Sequence, residues 1–121
     1  MDLRVKTTDY QMTPEVSDYL DDKLAQVEKS LGLDATQSRL EVELGRATGH
    51  HKHSEYQYFA EIQLVRPGSA RLVAHNHEPS VNAAIDNAKD ELLMQLRKEK
   101  RTHNRLWRRG GALAKRLLRL E

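Results

Sequence analysis

At 121 residues the chain amounts to about one domain, enough for a single two-layer core and not for two independent ones. It has no cysteine, which excludes a disulfide framework, a thiolate metal site and a cysteine nucleophile, and no stretch reaches the roughly 18 apolar residues of a membrane span. The net charge of +2 conceals an asymmetry: residues 97–121 hold ten of the twenty Lys and Arg against two acids, a local +8, whereas the first 96 residues carry −6.

Such a basic arm behind an acidic body is aimed at a polyanion, nucleic acid first and a membrane surface second. The opening MDLRVKTTDY lacks the apolar run of a signal peptide, so the expected location is the cytoplasm. Only one Trp, one Phe and four Tyr are present, which leaves the core to aliphatic side chains.

In chain order, Leu3, Val5 and Thr7 alternate with charged residues, the period of a half-buried strand over residues 2–8. Thr13 before Pro14, with Glu15 next, reads as a capped helix start. Val16, Leu20, Leu24, Val27 and Leu31 then recur at helical spacing, and Gly32 supplies the stop. Leu40, Val42 and Leu44 predict a second strand with a charged outer face. Residues 45–55 read as a loop holding His50, His51 and His53, and a third strand follows over residues 56–66. Pro67-Gly68 marks a turn, so the fourth strand, from Arg71 to about Asn76, should close an antiparallel hairpin. Pro79 announces a second helix carrying Val81, Ala84, Ile85, Ala88, Leu92 and Leu96 as its apolar stripe, and Gly110-Gly111 predicts a break beyond it. The order β-α-β-β-β-α implies an α/β two-layer sandwich, a four-stranded mixed sheet with two helices on one face. The expected organisation is a body over residues 1–103 and a basic C-terminal tail over residues 104–121.

No nucleophile elbow, metalloprotease helix, phosphate loop or dinucleotide fingerprint is present, so no catalytic residue, cofactor or enzymatic activity is expected. Five of the six histidines lie in two segments, the loop trio and the pair His75 and His77, but their spacing matches no standard zinc site. They read as solvated or RNA-facing residues, and no metal is assigned. The cations are more informative. Arg97, Lys98, Lys100 and Arg101 would suit the negative end of the second helix, yet Arg105, Arg108 and Arg109 around Trp107 add a density that capping does not need. Arginine forks on phosphates and an indole stacked on an unpaired base are how basic arms engage RNA. The leucines among these arginines also permit an interfacial amphipathic helix, which the glycine pair would interrupt.

Two stretches carry a family resemblance, MTPEVSDYLDDKLAQVEKSL over residues 12–31 and ARLVAHNHEPSVNAAIDNAKDELLMQLRKEK over residues 70–100. In this order, and separated by two alternating strands, they resemble the ribosome hibernation family: hibernation-promoting factor and ribosome-associated inhibitor A, also labelled sigma-54 modulation proteins. The resemblance spans roughly residues 1–103. It implies a non-enzymatic factor that binds the small ribosomal subunit, and the intact ribosome, in the cleft between head and body, occluding mRNA and the A-site and P-site tRNAs. It further implies a short form, ending before the dimerisation domain of longer members. Basic residues on the two helices would meet ribosomal RNA. The candidate set is Lys23, Lys29, Lys89, Arg97, Lys98, Lys100 and Arg101, joined from the tail by Arg105, Trp107, Arg108 and Arg109. The chain departs from the family pattern at residues 78–82 (EPSVN), where the usual aromatic is absent, and at Gln26, Glu91 and Met94, which replace basic positions. The alternative is a general RNA-binding or RNA-chaperone module with a basic arm.

Overall fold

The computed structural model describes residues 1–47 and 56–120, without the side chains of residues 104 and 106–120. Its elements are β1 (Asp2–Thr8), α1 (Pro14–Leu31), a 3-10 helix (Gly32–Gln37), β2 (Arg39–Arg46), β3 (Tyr58–Val65), β4 (Leu72–Glu78) and α2 (Val81–Leu120). The strands form one sheet in the order β1-β2-β3-β4. β1 lies parallel to β2, as a strand must when a helix makes the crossover, and the remaining pairs are antiparallel. The expected two-layer sandwich with a mixed sheet is therefore present.

Local chemistry explains the element ends. Thr13 Oγ1 accepts from the Val16 amide at 3.3 Å, and Pro14 occupies the first turn, where a missing N–H costs nothing. Gly32, at φ 60°, closes α1 by donating its amide to the Lys29 carbonyl. At the start of α2 the capping group is Ser80, whose Oγ accepts from the Ala83 amide at 3.1 Å, and not Pro79. The Pro67-Gly68 turn has Gly68 at φ 71° and the Ser69 amide directed to the Arg66 carbonyl at 3.4 Å. A positive φ at the third residue is what a type II turn demands, and glycine meets it without strain.

The core lies between the layers. Val16, Leu20, Leu24, Val27 and Leu31 of α1 and Ile85, Ala88, Leu92 and Leu96 of α2 pack on Leu40, Val42, Leu44, Ala60, Ile62, Leu64 and Ala74 of the sheet. The alternation of β2 and β3 is thereby resolved into one buried face and one wet face. Truncating a fully buried side chain such as Leu92 to alanine costs about 2–5 kcal/mol.

Four features differ from the sequence reading. The 3-10 turn after α1 had no periodic signal; Ser38 closes it by donating Oγ–H to the Asp34 carbonyl at 2.6 Å. β4 extends to Glu78, which brings His77 into the sheet beside His75. β1, expected to be half-buried, keeps Leu3 40% and Val5 41% exposed. It is an edge strand that α1 covers incompletely, leaving a groove of about 230 Å³ between Met1, Leu3, Leu24 and Leu40. Finally, α2 continues through Gly110-Gly111, where a break was expected. Two helical glycines cost about 2 kcal/mol together, and the Arg, Leu, Ala and Lys around them favour the helix.

Candidate nucleic-acid interface

The two helices run side by side in the same sense. Lys23 of α1 reaches Asp86 near the start of α2, at 3.4 Å, and Lys100, further along α2, donates to the Ser30 carbonyl near the end of α1 at 3.0 Å. One end of the helical layer therefore gathers Lys29 and Lys100 with the cations that precede and follow Lys100. Arg97, Arg101 and Arg105 are four residues apart, so they line one stripe of α2, opposite the buried Ala88, Leu92 and Leu96. Lys98 flanks them. Lys29, Arg97, Lys98, Arg101 and Arg105 are all exposed, and none forms an ion pair among the described residues.

Helix-end capping does not account for this stripe, because α2 runs on to Leu120 and the residues lie well inside it. Like charges four apart on a helix are unfavourable by about 0.2–0.5 kcal/mol per pair in the unbound protein, and a polyanion relieves exactly that repulsion by replacing it with attraction. Lys100 differs from its neighbours, since its ammonium already satisfies the orphan Ser30 carbonyl.

Lys23 and Lys89 have another environment. Lys89 is only 6% exposed. Its ammonium lies 2.6 Å from Asp90 Oδ1 and 3.2 Å from Asp86 Oδ1, and Lys23 completes the cluster from α1 while lying 5.1 Å from the centre of the Tyr19 ring. Burial pulls the Lys89 pKa down, but its hydrogen bonds to Asp90 and Asp86 and the attraction of their charges more than reverse it, so the net shift is upward. The Lys89 hydrogen bond holds the Asp86 carboxyl below its ordinary value, assisted by Lys23 and opposed by desolvation. Lys23 thus ties α1 to α2 through Asp86, and Lys89 is buried between two carboxylates of its own helix, where the sequence reading had grouped both with the outward set.

The same end of the sandwich is braced by a residue that sequence reasoning missed. Arg66, at the base of the β3-β4 turn, donates to both carboxylate oxygens of Glu99 at 2.7 and 2.8 Å and to the Ala70 carbonyl at 3.2 Å. The Arg66 hydrogen bonds hold the Glu99 carboxyl below its usual range. Glu99 is thus the acid inside the basic segment that serves the fold, and its pairing leaves the neighbouring arginines unneutralised. No periodicity could have paired positions 66 and 99. The side chains of Trp107, Arg108 and Arg109, and the loop histidines His50, His51 and His53, lie outside the described residues.

No helix among the described residues is long and apolar enough to cross a membrane. Comparison with known proteins gives the fold a context. The structure is similar to the N-terminal domain of Protein Y from Thermus thermophilus, at 24% identity and a TM-score of 0.61, over 81% of this chain and 98% of that one. It is also similar to a ribosomal subunit interface protein from Coxiella burnetii, at 14% identity and a TM-score of 0.64, over 83% and 98%. No curated protein matches the sequence. The family model described as Sigma 54 modulation protein / S30EA ribosomal protein matches residues 3–104, which takes in the cations of α1 and those of α2 up to Arg101. The chain belongs to that family.

Proposed function

We propose that this protein is a ribosome-associated translation inhibitor, which binds the small ribosomal subunit in the cleft between head and body and occludes mRNA and the A-site and P-site tRNAs. The observation that carries the reading is the stripe Arg97, Arg101 and Arg105, flanked by Lys98 and Lys29, exposed and without ion pairs among the described residues, on a fold of this family. Similar folds occur in Protein Y and in a ribosomal subunit interface protein, and the latter's name supplies the kind of partner. The role is binding rather than catalysis, and such a partner places the protein in the cytoplasm. Guanidinium groups on a rigid helix are suited to the fixed phosphate positions of a folded ribosomal RNA, since their forks pair with phosphate oxygens and lose little freedom on docking.

The body offers fewer unpaired cations than the sequence alone suggested, because Lys23 and Lys89 are engaged by Asp86 and Asp90. The basic residues beyond Arg105 compensate in this reading, each neutralised phosphate adding about 0.7–0.9 to the salt slope of binding. Sucrose-gradient sedimentation with purified ribosomes at two salt concentrations tests it. Co-migration with the small subunit and the intact ribosome, weakened by salt and weakened further by removal of residues 105–121, is expected. Protein that stays at the top of the gradient at low salt overturns the ribosome reading, and binding to free RNA in that case returns the general RNA-binding alternative.

A further inference from the structure

The two edges of the sheet are finished differently. At β4 the second helix reaches over the edge: Gln95 Nε2 donates to the Val73 carbonyl at 2.9 Å, and Asn87 Nδ2 donates to Glu78 Oε1 at 2.7 Å. β1 has no such cover. Its Asp2 amide donates to the Ser38 carbonyl at 3.3 Å, so Asp2, and with it Arg4 and Lys6, turn their backbone groups toward β2. The amides and carbonyls of Leu3, Val5 and Thr7 therefore point to the open edge, where none has a partner among the described residues. A strand of seven residues without proline, left open in this way, is a template for another strand. Leu3 and Val5 stand half-exposed on the helix face of that edge, and Arg4 and Lys6 on its wet face favour a neighbour that carries an acid.

We propose that a second copy of this chain pairs here, β1 against β1, antiparallel about a two-fold axis at Arg4, joining two four-stranded sheets into one. In that register Leu3 of each copy faces Val5 of the other. The open amides and carbonyls meet as hydrogen-bonded pairs, and the half-exposed aliphatic side chains cover one another on the helix face. On the wet face Asp2 of each copy faces Lys6 of the other, which gives two opposite-charge pairs. Only the axial Arg4 pair is like-charged, and each Arg4 has its own Asp2 at 3.8 Å. The neighbouring registers are poorer. Centring the axis on Val5 sets Arg4 against Lys6 twice, and centring it on Leu3 leaves Lys6 and Thr7 unpaired. An axis between two residues opposes open backbone groups to groups already bonded to β2. The strand is thus self-complementary in one register, with its charges and its open hydrogen-bonding groups in agreement.

Sedimentation velocity of the full-length protein from about 10 to 500 µM tests the pairing, and a reversible shift from one chain to two is expected, as for a small interface. The chain has no cysteine, so single thiols report the register. A thiol at position 4 meets its own copy at a β-carbon distance of about 4.5–5.5 Å, whereas one at position 2 or 6 stands about 13 Å from its copy, beyond disulfide reach. In a glutathione buffer Arg4→Cys should form the covalent dimer at least about tenfold faster than Asp2→Cys or Lys6→Cys. Val5→Pro removes an open amide that bonds nothing within the monomer, and should weaken dimerisation at least about tenfold with circular dichroism unchanged. If proline disturbs the strand, Leu3→Lys, at a position already 40% exposed, takes its place with the same expected loss. A single chain at the highest concentration, equal crosslinking at positions 2, 4 and 6, or a dimer indifferent to the folded edge variant overturns the proposal and leaves the edge to a strand of another protein.

Discussion

Two groups of cations on the same pair of helices are put to opposite uses. Lys23 and Lys89 stand among Asp86 and Asp90, Lys23 reaching Asp86 from α1 and Lys89 pairing within α2, with each charge partnered and Lys89 buried. Arg97, Lys98, Arg101 and Arg105, about two to four turns further along α2, are exposed and form no ion pair among the described residues. A partnered cation contributes to stability and has little left to offer a phosphate; an unpartnered stripe is slightly unfavourable alone and gains when an anion arrives. The difference lies in whether a carboxylate falls within reach, across the helix interface for Lys23 and along the same helix for Lys89, and residue type does not announce it.

Three variants probe that contrast. The largest effect is expected from Arg97→Glu with Arg101→Glu: ribosome affinity at low salt should fall on the order of a hundredfold or more, because two phosphate attractions become repulsions, while the melting temperature stays the same or rises. Gradient co-sedimentation and thermal denaturation read the two quantities, and a stability loss without a binding loss would reverse the assignment. Next, Asp86→Ala should destabilise by about 2 kcal/mol, since Lys89 keeps only Asp90 and Asp86 is itself part-exposed. Urea denaturation checks this, and ribosome binding at a temperature where the variant is folded should change by less than about threefold.

The smallest effect is expected from Glu99→Gln and is pH-dependent. The Arg66 hydrogen bond holds the folded Glu99 carboxyl below its ordinary 4.5, so its stabilisation is complete above that pH and is lost as pH falls through the lower folded value. The variant should therefore lose about 1 kcal/mol at neutral pH, discounted for the exposed side of the pair, and show a shallower decline of stability below pH 4.5 than the unaltered protein. An identical acid limb in both proteins would mean that the Arg66–Glu99 bridge contributes nothing to stability.

The elements and their order were legible because each is local. The alternation of β2 and β3, the apolar stripe of α1 between Thr13 and Gly32, and the Pro67-Gly68 turn all act within a few residues, and the structure has them where the pattern put them. The exposed β1 edge was not legible, because Leu3 and Val5 alternate as a buried strand would and only the position of α1 decides whether they are covered. The glycine pair in α2 was over-read for a related reason, a breaker's cost of about 1 kcal/mol each being set against a long run of helix formers.

For the candidate interface, the sequence by itself determined the sign and density of the charge, the four-residue spacing of Arg97, Arg101 and Arg105, and through residues 12–31 and 70–100 the family. Tertiary structure alone decided which cations remain available. Lys23 meets Asp86 across packed helices, Lys89 is buried beneath them, Glu99 meets Arg66 from a turn 33 positions earlier, and His75 meets His77 over a Phe59 ring admitted by Gly45. Charges and rings act through distances of a few ångströms in space, whereas periodicity records only distance along the chain.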